Sequence, residues 1–172
     1  EMQASIDRMR KAFLPSDTDF VEIGPALATY LCQGRAARVP NGNGEHRRAM
    51  LSALDQVQRG VHSSIAPNAR YAIANFLTGL GELPGEDERI RRIAILTTLA
   101  QLVPPASLDD LRITTCLAQA LWIDGARDRA IETMDMLLRR AEQDAGGGIP
   151  EQAMPQVDVL VDWLTASGRH GE

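Results

Sequence analysis

The side chains able to do chemistry are few and scattered. His62 stands beside Ser63 and Ser64. A serine nucleophile needs a base held by a third group, and adjacency along the chain does not supply that geometry. His46 and His170 fall in loop-like stretches. Asp124, Asp128 and Glu132 share helical spacing, the arrangement of a metal or acid-base pair. They fall at a bend, however, where carboxylates are ordinarily hydrated. Cys32 and Cys116 are far apart, each in an apolar stretch, with no CxxC or Cys/His ligand spacing. They read as two buried thiols rather than zinc ligands. The chain has no GxSxG, HExxH, GxxxxGK[ST] or GxGxxG motif, and the glycine-rich stretches "GNGEHRR" and "DAGGGIP" lack the strand and the lysine of a phosphate loop. The expectation is a chain without catalysis, metal or cofactor.

The arginines offer a second possibility. "GRAARVPNGNGEHRR" gathers Arg35, Arg38, Arg47 and Arg48 with His46 around one turn, a candidate patch for a small anionic ligand or an acidic partner. Arg35 and Arg38 lie near a helix C-terminus, where cations complement the dipole, whereas Arg47 and Arg48 open a helix. Elsewhere arginines alternate with acids. Glu88 with Arg92, and Asp135 with Arg139, stand four residues apart, the spacing of ion pairs on a solvated helix face. With a net charge of -5, the chain lacks the cationic excess that phosphate contacts require, so nucleic acid is not an expected partner. Lys11 is the only lysine, which reads as the codon bias of a GC-rich bacterial genome.

The scaffold behind these residues is read from composition and breakers. A chain of 172 residues buries roughly 70% of its unfolded surface and needs no staple. Hydrophobic residues make up 44% and aromatics only 4%, so the core is aliphatic and rich in alanine, the best helix former. No apolar run approaches the roughly 18 residues of a membrane span. Breakers at "PSDTD", "PNGNG", "SSIAPN", "PGED", Pro104-Pro105 and "DAGGGIP" divide the chain into about eight helical segments. Apolar stripes are expected at Met2, Ile6, Met9 and Phe13; at Met50, Leu54, Val57 and Val61; at Tyr71, Ala74, Leu77 and Leu80; and at Ile90, Ile93, Leu96 (or Thr97) and Ala100. Ser107, followed by Asp109 and Asp110, opens a further helix. Val157, Leu160, Val161 and Leu164 favour a closing helix, although the local V-D-V-L-V alternation also suits a strand. The fold class expected is all-α, one domain over 1–172: an irregular helical part at 1–66, successive helix pairs at 67–145, and a connector with a closing helix at 146–172.

In "ALWIDGARDRAIETM" an apolar run ends at Asp124-Gly125 and a lone Ala130 follows five residues past the glycine. Leu117-Ala118 pairs a large with a small residue, Leu121 is the next large position, and Met134 follows Ala130 by four. On these residues, 111–144 resembles a tetratricopeptide repeat, a helix-turn-helix unit of about 34 residues. Thr114, Leu137 and Glu142 depart from it, standing where the family prefers an aromatic, an alanine and a proline. Residues 71–102 fit less closely, with Ile90 in the small slot. The resemblance implies stacked antiparallel hairpins forming a short α-solenoid, and a peptide groove lined by the first helices. Its groove-facing positions here would be Arg112, Thr115, Gln119, Trp122 and Ile123, with Trp122 as apolar anchor and Arg112 as anion partner.

These readings make the chain a protein- or peptide-binding scaffold or adaptor. Because it begins at Glu1 rather than Met, it is also expected to be part of a larger bacterial protein. A regulatory or periplasmic domain of a glycan polymerase, ligase or secretion component is one alternative. A sensor of small anionic ligands is another.

Overall fold

The computed structural model describes residues 23–30, 33, 44–81, 83 and 85–169 of the chain. The stripe from Met2 to Phe13, Cys32, Arg35, Arg38 and His170 lie outside them. Residues 23–30 are helical. There follow α1 (Gly44–Gly60), α2 (Pro67–Gly79), α3 (Glu86–Gln101), α4 (Leu108–Ile123), α5 (Arg127–Asp144), a 3₁₀ turn (Glu151–Ala153) and α6 (Met154–Ala166). No strand occurs among the described residues, so the fold is all-α, and 154–166 is helix rather than strand.

Local chemistry fixes the boundaries. The Ser107 side chain accepts the Asp110 N–H at 3.1 Å, and the Asp110 carboxylate accepts the Ala106 N–H at 2.9 Å. This exchange closes the open donors at the start of α4. At its other end the Gly125 N–H donates to Trp122 O at 3.1 Å and the Ala126 N–H to Leu121 O at 2.9 Å. That is a Schellman closure, and the φ of +83° at Gly125 is a left-handed conformation that a Cβ disfavours. The chain therefore turns back at once into α5.

α4 is the centre of the molecule. Leu111, Ile113, Cys116, Leu117, Ala118, Ala120 and Leu121 are all buried, because α2, α3 and α5 each pack against a different side of it. A helix apolar on most sides needs such enclosure. Ala118 and Ala130 are both fully buried, as expected where two small residues let α4 and α5 approach, with Met134 and Leu137 filling the adjoining space. α2 and α3 differ. They make little direct contact with each other; both rest on α4, and α3 also packs on α1.

Two expected stripes are buried only in part: Ala74, Leu77 and Leu96 are interior, and Tyr71, Leu80, Ile93 and Ala100 pack at the edge of the core. On α3, Ile90 is 58% exposed, and the interior side is Glu88, Arg92, Ile95, Leu96 and Leu99. On α2, Tyr71 and Leu80 are only half-buried, and Ala69, Arg70, Ile73, Ala74 and Leu77 face inward. The reason is the same in both helices. A guanidinium occupies the inner face and donates to backbone carbonyls of neighbouring segments. Arg70 donates to Leu102 O at 2.7 Å and Ser63 O at 2.6 Å. Arg92 donates to Gly81 O at 2.5 Å and pairs with Asp124. Only α1 follows its predicted stripe throughout, with Met50, Leu54, Val57 and Val61 buried.

Candidate functional site

The five positions implied by the repeat resemblance lie along α4, but their side chains are largely engaged within the molecule. The exposed Arg112 guanidinium lies over the Tyr71 ring of α2, 5.4 Å from its centroid. The Thr115 hydroxyl donates to Leu111 O of its own helix at 2.5 Å. Gln119 is half-buried and Ile123 is 36% exposed. Trp122 stacks on Trp163 of α6, with ring centroids 4.8 Å apart and planes 4° from parallel. Arg127 lies 5.1 Å from the Trp122 centroid. Trp122 therefore joins α4 to α6 through the ring of Trp163.

The expected arginine patch is also altered. Arg47 reaches Glu88 at 3.3 Å and Asp87 at 3.5 Å, so acids from the first turn of α3 already accompany that guanidinium. Arg48 is exposed. Two further expectations are overturned together. Arg92 is fully buried rather than on a solvated face, and its carboxylate is Asp124 rather than Glu88. Asp124 in turn is held at the end of α4 with its side chain only 6% exposed, not hydrated at an open bend. The pair joins α3 to the α4–α5 turn. By contrast, Arg139 meets Asp135 at 2.7 Å as an exposed i,i+4 pair, as expected.

Ser64 Oγ lies 2.7 Å from His62 Nδ1 on an exposed turn. The buried Asp110 accepts from Thr114 at 2.8 Å and lies 3.5 Å from Arg140 of α5. Burial pushes the Cys116 thiol above its ordinary value, with a smaller opposing effect from Thr78. Among the described residues no group of three or more His, Cys, Asp or Glu is placed to hold a metal ion, and no helix is long and apolar enough to cross a membrane.

The structure contains an open feature that sequence reading missed. A cleft of about 620 Å³ runs between α5 and α6, lined by Ile131, Leu160 and Leu164 and by Asp128, Glu132, Asp135, Arg139 and Arg169. α6 is only partly buried, with Val157, Val159, Leu160 and Leu164 at the edge of the core. Trp163 is the only buried residue of that helix, and Val161 is 54% exposed. The spacing of Leu160 and Leu164, and of Asp128, Glu132 and Asp135, was visible in the sequence. That the two rows face one another is a tertiary fact. No family model matches this chain, and neither a curated protein nor a solved structure shows significant similarity to it.

Proposed function

We propose that this chain is a non-catalytic helical module, its α4–α5 hairpin similar to a tetratricopeptide repeat, that holds a segment of another protein in the cleft between α5 and α6. The observation that carries this reading is the cleft itself: a floor of Ile131, Leu160 and Leu164 beneath an ionic rim. Aliphatic floor and charged rim divide the work of recognition in the usual way, the first supplying burial and the second orientation. The α4 side is less suited, because Trp122 is stacked on Trp163 and Arg112 on Tyr71.

The test is a titration of the isotope-labelled chain with synthetic amphipathic helical peptides, followed by amide NMR. Saturable shifts are expected at Ile131, Glu132, Leu160 and Leu164. Leu160→Asp is expected to abolish them while the far-UV circular dichroism spectrum is unchanged. Shifts confined to the Arg112–Gln119 side of α4 would move the site there, and a titration without saturable shifts would remove the proposal.

A further inference from the structure

We infer that the occupant of the α5–α6 cleft is a basic amphipathic helix of a partner protein; this rests on the reading of the cleft as a docking site. Asp128, Glu132 and Asp135 follow one another at i, i+4 and i+7 along α5, so their carboxylates form a row on one side of the helix. Glu142 continues the acidic side one turn beyond Arg139. Two cations face these groups in the cleft, Arg139 and Arg169. Arg139 is clasped by Asp135 at 2.7 Å, and that hydrogen bond raises its guanidinium above the ordinary value. Arg169 reaches only to 3.8 Å from Asp128, whose side chain is 96% exposed. Glu132 is exposed on the same row. Three carboxylates thus line the cleft with two guanidiniums, leaving one negative charge in excess, at Glu132, beside the aliphatic side chains.

The dimensions select the form of the partner. Asp128 to Arg139 is eleven residues of helix, about 16 Å at 1.5 Å per residue. A partner helix of three turns matches that length. If it carries Arg or Lys at i, i+4 and i+7, its cations run at the same spacing as the carboxylates of α5. Its adjoining aliphatic stripe then lies over Leu160 and Leu164. An acidic helix, or an anionic membrane or nucleic-acid surface, would meet like charge along the same row.

Three stapled helical peptides of equal length and identical aliphatic stripe test this on the full chain, their polar rims carrying Arg, Glu or Gln. At low ionic strength the Arg peptide is expected to bind at least about ten-fold tighter than the Gln peptide, and the advantage to shrink as salt is raised through physiological strength. Asp128→Asn with Glu132→Gln is expected to weaken the Arg peptide roughly five-fold and leave the Gln peptide unchanged. Equal or better binding of the Gln or Glu peptide at Leu160 and Leu164 would overturn the basic partner while leaving the docking site in place. No saturable shift with any of the three would overturn both.

Discussion

The two nominal hairpins of this molecule are held by different physics. In α4–α5 a Schellman turn at Gly125 reverses the chain, and small buried residues, Ala118 and Ala130, lie within the packed apolar interior. In α2–α3 the helices scarcely touch, and guanidinium groups do the joining. Arg70 ties α2 to the turn at Ser63 and the end of α3 at Leu102; Arg92 ties α3 to Gly81 and to Asp124. A similar rhythm of breakers and apolar residues thus gives a close pair in one place and a strutted pair in the other. Apolar contact is non-directional and tolerates some sliding, whereas a buried guanidinium requires particular acceptors in particular places.

The largest expected effect breaks the strutted side. Arg92→Met leaves the Asp124 carboxylate without its buried cation, and is expected to cost about 3–5 kcal/mol in urea unfolding. Adding Asp124→Asn should recover much of that loss. A single-variant cost below about 1 kcal/mol would show that the strut is dispensable. On the close side, Ala130→Leu forces extra volume between two packed helices, and is expected to cost about 1–3 kcal/mol by the same measurement. Ile90→Ala, on the exposed face of α3, serves as its control and should change stability by less than about 0.5 kcal/mol. If both substitutions behave alike, the difference in burial on which the comparison rests is wrong.

A smaller effect is expected at the turn. Gly125→Ala must hold a left-handed backbone with a Cβ, at about 1–2 kcal/mol, read as a lowered urea midpoint with unchanged slope. The smallest effect sharpens the comparison from within α4. Cys116 lies where Thr78 of α2 donates to its carbonyl at 3.1 Å, and its thiol is pushed up by burial. In a Cys32→Ser background, native Cys116 should react with a disulfide reagent far more slowly than in denaturant. Because its folded pKa is raised, the unfolded thiol ionises first. The stability it contributes is present at neutrality and declines as pH rises past the ordinary thiol range. Fast native labelling at neutral pH would mean that the α2–α4 contact opens readily.

What the sequence made legible follows from signals that act over a few residues. The Ser107 cap, the stop at Pro104-Pro105, the reversal at Gly125, the i,i+4 pairing of Asp135 with Arg139 and the buried stripe of α1 all appear where local spacing put them. The faces of α2 and α3 were read in part: Ala74, Leu77 and Leu96 are buried as expected, Ile90 is exposed, and each helix also turns an arginine inward. Periodicity counts apolar residues, so it places an arginine outside. Arg92 lies inside because Asp124, thirty-two positions later, and the carbonyl of Gly81 meet it there. The candidate site divided in the same way. Both Trp122 and Trp163 were visible as aromatics, but nothing along the chain brings them to a stack 4.8 Å apart, and so nothing showed that Trp122 is occupied.

By itself, then, the chain determined that it would be helical and where the principal described helices begin and end. Those properties depend on backbone preference, capping and the density of aliphatic residues within one segment. Only the tertiary structure decided which arginines are interior, which carboxylate each one meets, and that α5 and α6 leave between them a cleft lined by Leu160 and Leu164. These depend on which helices become neighbours. That choice is made by the summed packing of the whole core, and no window of sequence contains it.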